Sequence, residues 1–194
     1  EENNTALRAF QDLAHETGAW VLIGSLLVEV PGSEKMANRS FLLDDKGVIR
    51  ARYDKIHMFD VELGGAENHS ESKYYNAGDK LILATTPWGK VGLTICYDLR
   101  FAYLYRALGQ AGAQILSIPS AFTRISGRAH WHVLQRARAI ETGCYVIAPA
   151  QCGVHPGNRQ TYGHSLIVDP WGETLADGGE DTGFIVADID LTKV

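Results

Sequence analysis

Apolar positions in the first turns of the chain recur at helical spacing. Leu7, Phe10, Leu13 and Ala14 share one face, Asn3 or Asn4 supplies a side-chain oxygen for the orphan amides at the start, and Gly18 stops the run. From Trp20 to Val28 the pattern turns almost continuously apolar and predicts a buried strand, which Pro31, Gly32 and Ser33 break. Two short strands follow, Ser40 to Leu43 and Val48 to Tyr53. Asp44, Asp45, Lys46 and Gly47 between them carry the chemistry of a hairpin turn. From Asp54 to Asp79 no period is sustained, and an aperiodic stretch of that length in a compact domain points to a functional loop. Strands Leu81 to Thr86 and Lys90 to Ile95 then flank the turn Pro87, Trp88, Gly89 and deliver the chain to Cys96.

Beyond Cys96, Phe101, Leu104, Tyr105 and Leu108 predict a helix over Asp98 to Gly112, and Gln114 to Ile118 reads as the next strand. A helix from Ala129 to Thr142, ended by Gly143, leads into a strand from Cys144 to Ala148. The remainder is strand-rich: Gly163 to Val168, a turn at Asp169, Pro170, Trp171 and Gly172, and a closing strand from Gly183 to Ile189. Helices that alternate with buried strands, with hairpins interspersed, predict an α/β layered domain with a mixed sheet, and one domain over 1–194 is the default.

Composition narrows the partners. A chain of 194 residues that is 45% hydrophobic can bury a sizeable core. A formal charge of −5, with no Lys/Arg-rich run, argues against a nucleic-acid or anionic-membrane surface and for small molecules or other proteins. The apolar run Ala19 to Val28 is too short to span a bilayer. Three cysteines, Cys96, Cys144 and Cys152, cannot all pair, so a reducing cytoplasm is the expected setting.

Cys96 is the strongest chemical candidate. A sulfur at a strand-to-helix junction faces unpaired backbone N–H groups and the positive end of a helix dipole, which favour the nucleophilic thiolate. Its bland alternative is a small core filler, since unpaired cysteine is among the most buried residue types. Lys55, in Arg52-Tyr53-Asp54-Lys55-Ile56-His57, and Glu71, in Ser70-Glu71-Ser72-Lys73, read in isolation as solvated charges. Asp98 and Arg100 can simply pair and cap the helix that starts beside them. No Gly-x-Ser-x-Gly elbow, phosphate-binding loop or Gly-x-Gly-x-x-Gly exists. His130 and His132 are two apart and point to different sides of their helix, and His57, His155 and His164 have no Cys/His cluster around them in sequence, so no metal site is expected.

Taken together, the segments resemble the nitrilase superfamily of carbon-nitrogen hydrolases. The nucleophile motif matches at Gly92-Leu93-Thr94-Ile95-Cys96-Tyr97-Asp98-Leu99-Arg100-Phe101, the lysine motif at Tyr53-Asp54-Lys55-Ile56-His57, and the segment with an additional active-site glutamate at Glu71. Pro119-Ser120-Ala121-Phe122, His130-Trp131, Arg136-Ala137-Arg138-Ala139-Ile140-Glu141 and Tyr162-Gly163-His164-Ser165 through Asp169-Pro170-Trp171-Gly172 are similar to the same family. Cys96-Tyr97-Asp98 looks like the Nit amidase branch rather than true nitrilases. Ala150-Gln151-Cys152-Gly153 with His155 and Arg159 looks more like the subgroup acting on deaminated glutathione than like the omega-amidases. Ala102 and Tyr103 depart from the Pro-Glu pair that commonly follows Arg-Phe in the nucleophile motif.

The resemblance implies an α-β-β-α sandwich with mixed sheets, here lacking the first strand and helix. It implies Cys96 as the nucleophile that forms a thioester. Lys55, as ammonium, together with the backbone N–H of Tyr97, would stabilise the oxyanion, and Glu71 would orient either Lys55 or the general base by hydrogen bonding and help protonate the leaving ammonia. Phe122 and Thr123 are substrate-pocket candidates, Cys144 a core filler and Cys152 a loop thiol. The implied activity is hydrolysis of an amide in a small carboxylate-bearing substrate, with release of ammonia and no metal or organic cofactor, by a homodimer or larger even homo-oligomer. Family members carry their general-base glutamate in a segment that precedes the point where this sequence starts, so a fragment of a longer protein is expected, and Glu1 and Glu2 are not assigned that role. A catalytically incomplete homologue serving as an interaction module, a nitrilase and an omega-amidase stay open as alternatives.

Overall fold

The computed structural model describes residues 4–62 and 68–194. Glu1 and Glu2, and Asn3 as a helix cap, lie outside the described residues, as does the middle of the aperiodic segment, 63–67. The chain is α/β, with mixed and antiparallel sheets, and it falls into two compact units, 1–82 and 83–194.

The first unit opens with α1 (Thr5–Thr17). Asn4 caps it by accepting the N–H of Leu7 at 3.0 Å, and Gly18 ends it at φ 64°. Leu7 and Ala14 are buried, whereas Leu13, expected on the same face, is exposed because the buried stripe runs through 7, 10 and 14. Strands β1 (Val21–Glu29), β2 (Met36–Leu43) and β3 (Ile49–Asp54) pair antiparallel in that order. The run Trp20 to Val28 is not fully buried here: among the described residues β1 pairs only with β2, a register shift interrupts it between Ile23 and Leu26, and Leu27 faces outward. The hairpin at Asp44 to Gly47 forms as expected. The Asp44 carboxylate accepts the N–H groups of Lys46 and Val48, both at 2.9 Å, and Gly47 sits at φ 73°, where a Cβ would strike the backbone of Gln11.

Ala14, Ile23, Val28, Ala37, Phe41 and Leu43 make the core of this unit with Leu7, each large side chain contributing about 1.5–3 kcal/mol by leaving water. The aperiodic segment carries short elements that no period announces. These are β4 (Asp60–Glu62) and β5 (Asn68–Ser70), paired antiparallel, a 3-10 turn (Glu71–Lys73), and β6 (Tyr75–Asn76), which adds parallel to β2.

The second unit is built on a sheet in which β8 (Lys90–Leu93), β9 (Ile115–Ser117) and β10 (Tyr145–Ala148) run parallel. On one side lies β7 (Ile82–Thr85), and on the other β13 (Leu166–Val168) and β14 (Thr174–Asp177) add antiparallel. Helices α2 (Ala102–Gln110) and α3 (Arg124–Thr142) make the β8-to-β9 and β9-to-β10 crossovers, the expected consequence of joining parallel neighbours. A separate ribbon pairs β11 (Cys152–His155) with β12 (Arg159–Tyr162).

Here three sequence expectations change. The helix after Cys96 is divided into a 3-10 turn (Cys96–Arg100) and α2, with Phe101 non-helical at φ −106°, ψ 85°. Helix α3 starts at Arg124 rather than Ala129 because the Thr123 hydroxyl caps it. No strand forms over Gly183 to Ile189, where Phe184 is 91% exposed, while β14 forms where none was expected. Gly127 lets β12 lie against α3: a Cβ there would fall on Cβ and Cγ of Tyr162.

Candidate active site

Cys96 sits past the carboxyl end of β8, and the segments that follow β9 and β10 lie beside it. The Thr94 N–H donates to Ser117 at 3.1 Å, the Cys96 N–H to Pro119 at 2.9 Å, and the Ser120 N–H to Pro149 at 2.9 Å, in each case to the backbone carbonyl. The carboxyl ends of neighbouring parallel strands are where open α/β sheets bind ligands, because the chain leaves the sheet there with its loops side by side. Phe122 and Thr123 leave the end of β9 on the same side.

The cysteine itself is in the left-handed region, φ 51°, a conformation that costs a non-glycine residue about 1–3 kcal/mol and persists only where the surroundings over-determine it. The over-determination is visible. Buried Asp98 accepts the Ile95 N–H at 2.9 Å on one side of the cysteine. On the other, buried Arg138 donates to the Leu99 carbonyl through Nε and Nη2 at 2.9 and 2.7 Å. Thr94 is pinned through its hydroxyl to the Ser117 carbonyl and to Tyr105, both at 2.9 Å. Cys96 is half-buried. Since Cys96 itself opens a 3-10 turn of only five residues, the helix-dipole reason for favouring a thiolate loses its basis; what the turn supplies is a fixed backbone placement for the cysteine.

In the first unit, Lys55 follows directly on β3 and is buried, 3% exposed. Its N–H donates to the Asn38 carbonyl at 3.0 Å and its own carbonyl accepts from Gly78 at 2.8 Å, so both sides of the peptide are fixed. Its ammonium donates to Glu71 Oε2. The same oxygen accepts the Phe59 N–H at 2.7 Å, and Oε1 accepts from Asn38 Nδ2 at 3.4 Å. Next door, N–H and hydroxyl of Ser72 hold the carboxyl of Asp60 below the usual range, against a smaller push from burial, and Lys55 adds to the lowering. A lysine desolvated this far needs a paired carboxylate, and Glu71, sixteen positions along, is that partner.

Tyr97, on the 3-10 turn that begins at Cys96, packs edge-on against Phe101 at 5.4 Å. The Arg100 guanidinium lies over the rings of both Tyr97 and Phe122, at 5.9 and 5.5 Å. Phe122 is buried against Trp131, ring centroids 5.0 Å apart, and the hydroxyl of Thr123 is taken up in the α3 cap with Ser126. Arg100, which the sequence offers as a partner for Asp98, thus also lies over two rings, and the contacts of Arg138 are ones that residue order does not single out. Arg138 shows only its i,i+3 partner Glu141 in sequence, while its bonds to Leu99 cross thirty-nine positions.

The model of the carbon-nitrogen hydrolase family matches residues 1–194. A deaminated glutathione amidase from Mus musculus is 47% identical over 193 residues, which are 97% of this chain and 60% of that protein. The crystal structure of the C. elegans NitFhit protein superposes with a TM-score of 0.92 at 43% identity, covering 97% of this chain and 46% of that one. A mutant of the amidase from Nesterenkonia sp. AN1, described as carrying the acetamide moiety of fluoroacetamide covalently on its active-site cysteine, superposes with a TM-score of 0.82 at 26% identity, covering 97% and 67%. The chain spans about three fifths of the length of the deaminated glutathione amidases from Yersinia, mouse and human that it matches.

Proposed function

Because this chain belongs to the carbon-nitrogen hydrolase family, we propose that Cys96 is the nucleophile of an amidase acting on a small, linear, carboxylate-bearing amide, with deaminated glutathione the first substrate to try. The observation that carries this reading is the backbone of Cys96: a left-handed cysteine at the carboxyl end of a parallel strand, pinned on both sides. Covalent addition at the cysteine of the Nesterenkonia amidase, and the deaminated glutathione amidases among the relatives, support it.

In this reading the Cys96 sulfur bonds to the amide carbon while the carbonyl π electrons move to oxygen. The Lys55 ammonium and the Tyr97 N–H stabilise that oxyanion; loss of one such donor costs about 10²-fold or more in rate. Collapse breaks the carbon-nitrogen bond, the nitrogen takes up a proton and leaves as ammonia, and a thioester remains for water to hydrolyse. Glu71 positions Lys55. The proton from the thiol requires a general base, for which no residue of this chain is assigned. Phe122 and Thr123 remain the proposed pocket residues, with Thr123 acting through the α3 cap.

The experiment is ammonia release by the full-length protein from deaminated glutathione, α-keto-acid ω-amides and simple aliphatic amides, with intact mass spectrometry to trap the thioester. Cys96→Ala is expected to abolish both signals. Ammonia release that survives Cys96→Ala overturns the assignment.

We propose a homodimer or larger even assembly as the working state. Exposed Val133 and Ile140 on α3, with exposed Trp171 beyond β13, support a second copy of the chain as the cover. Light scattering on the full-length protein tests it, and a monomer at micromolar concentration overturns it. The reduced thiol required for the chemistry fits a cytoplasmic setting.

A further inference from the structure

Two histidines that residue spacing keeps apart meet at one carboxylate. His132 Nε2, from α3, lies 3.0 Å from Asp177 Oδ2, and His164 Nδ1, from the turn between β12 and β13, lies 2.9 and 3.1 Å from the two oxygens of the same group. One ligand atom from each residue can be chosen so that all lie within 4.8 Å of one another, and the two imidazole rings are 4.9 Å apart. The arrangement is held from behind. His164 is in the left-handed region, φ 57°; its carbonyl accepts the indole N–H of fully buried Trp131 at 2.7 Å, and its N–H donates to the Gly179 carbonyl at 2.6 Å. Its ring stacks on Tyr162 at 4.5 Å, and Asp177 Oδ1 also accepts the Gly179 N–H at 2.9 Å. The side chains of His132, His164 and Asp177 are 36%, 20% and 33% exposed, so the cluster is open to solvent on one side.

Two imidazole nitrogens and a carboxylate are the donor set of zinc-type ions, whereas magnesium and calcium prefer oxygen alone. Bonds of about 2.0–2.1 Å at tetrahedral angles separate neighbouring ligand atoms by roughly 3.3 Å. The nitrogen-to-oxygen distances already present, 2.9 to 3.1 Å, approach that spacing, and the ligand atoms all lie within 4.8 Å, so capture needs side-chain rotations that bring the two imidazole nitrogens closer together. We propose that His132, His164 and Asp177 form a binding site for one zinc-type divalent ion, with the solvent side left for water. In the bound form His132 carries its proton on Nδ1 and His164 on Nε2, the hydrogen bonds to Asp177 are exchanged for metal bonds, and no electron transfer is involved. The ion ties α3 to the β13–β14 edge. This site is separate from the Cys96 chemistry and stands whether or not that assignment does.

The test is zinc titration of the full-length protein by calorimetry and by competition with a chromogenic chelator. A Cys96→Ser, Cys152→Ser background keeps thiols from supplying the ligands. One zinc per chain is expected, with His132→Ala and Asp177→Asn each weakening it by on the order of 100-fold or more, since loss of even a supporting partner costs a metal site about 10- to 100-fold. His130→Ala, on the same helix, should leave binding unchanged. His132→Gln, which keeps side-chain bulk, stands in if the alanine variant does not fold, and circular dichroism without zinc reports that. Equal affinity in the His132 and Asp177 variants, no binding by the parent, or equal competition by magnesium overturns the proposal.

Discussion

Lys55 donates its ammonium to the same oxygen of Glu71 that receives the N–H of Phe59, so one carboxylate atom fixes both a buried cation and the backbone of the loop across from it. Removing the carboxylate strands a charge that is only 3% exposed, and breaking a buried pair costs about 3–5 kcal/mol. Glu71→Ala is therefore expected to lower the urea midpoint sharply, whereas the double replacement Lys55→Met, Glu71→Leu should recover most of the loss. Glu71→Ala with parent-like unfolding would show that the pair carries no weight.

Arg138 is expected to act as a positioning residue for the turn that carries Cys96, the proposed nucleophile. Its two bonds to the Leu99 carbonyl hold the segment just after Cys96, and lysine cannot reproduce that fork. Misplacement of a reacting group by about 1 Å can cost around 10²-fold, so Arg138→Lys should lower kcat by roughly 10-fold or more while KM stays near the parent value. An unchanged kcat in a folded Arg138→Lys protein would sink the positioning role.

Tyr105 makes stability sensitive to alkali. Burial pushes its hydroxyl well above the ordinary value of 10.0, the hydrogen bond to Thr94 pulling the other way and Asp98 adding to the push. The native state thus keeps a proton that the unfolded chain gives up. This contribution is complete below about pH 10 and is lost as pH rises beyond it. Tyr105→Phe is expected to cost about 1 kcal/mol at neutral pH through the lost hydrogen bond, and to flatten the fall in urea midpoint between about pH 9 and pH 11. An alkaline slope identical to the parent's would count against it.

Much of the fold was legible where a local rule and the tertiary environment agree. Asn4 and Gly18 bound α1 because a cap oxygen and a left-handed glycine are both short-range devices, and Asp44 with Gly47 makes the β2–β3 turn for the same reason. Phe184 and Val186 alternate like a strand, yet they face outward in a segment that pairs with no strand among the described residues, because alternation specifies a strand only where a partner supplies hydrogen bonds. The break between the 3-10 turn and α2 was hidden, since Phe101 continues the apolar repeat while its backbone leaves the helix. At the candidate site, residue order marked Cys96 as a candidate, but Lys55 and Glu71 read in isolation as solvated charges; the family resemblance gave them roles while leaving the partner of Glu71 open, and the structure pairs the two. Their contact spans sixteen positions, with no helical or strand period to reveal it. His132, His164 and Asp177 were illegible for the same reason: three separate elements bring them together.

Cys144 differs in kind from the other two sulfurs. It is fully enclosed, its S–H donates to the Ala113 carbonyl at 3.0 Å, and burial pushes the thiol up, while Cys96 and Cys152 are partly open. An alkylating pulse therefore sorts the three by access, and labelling of Cys144 becomes an internal clock that advances only when the β9–β10 core comes apart.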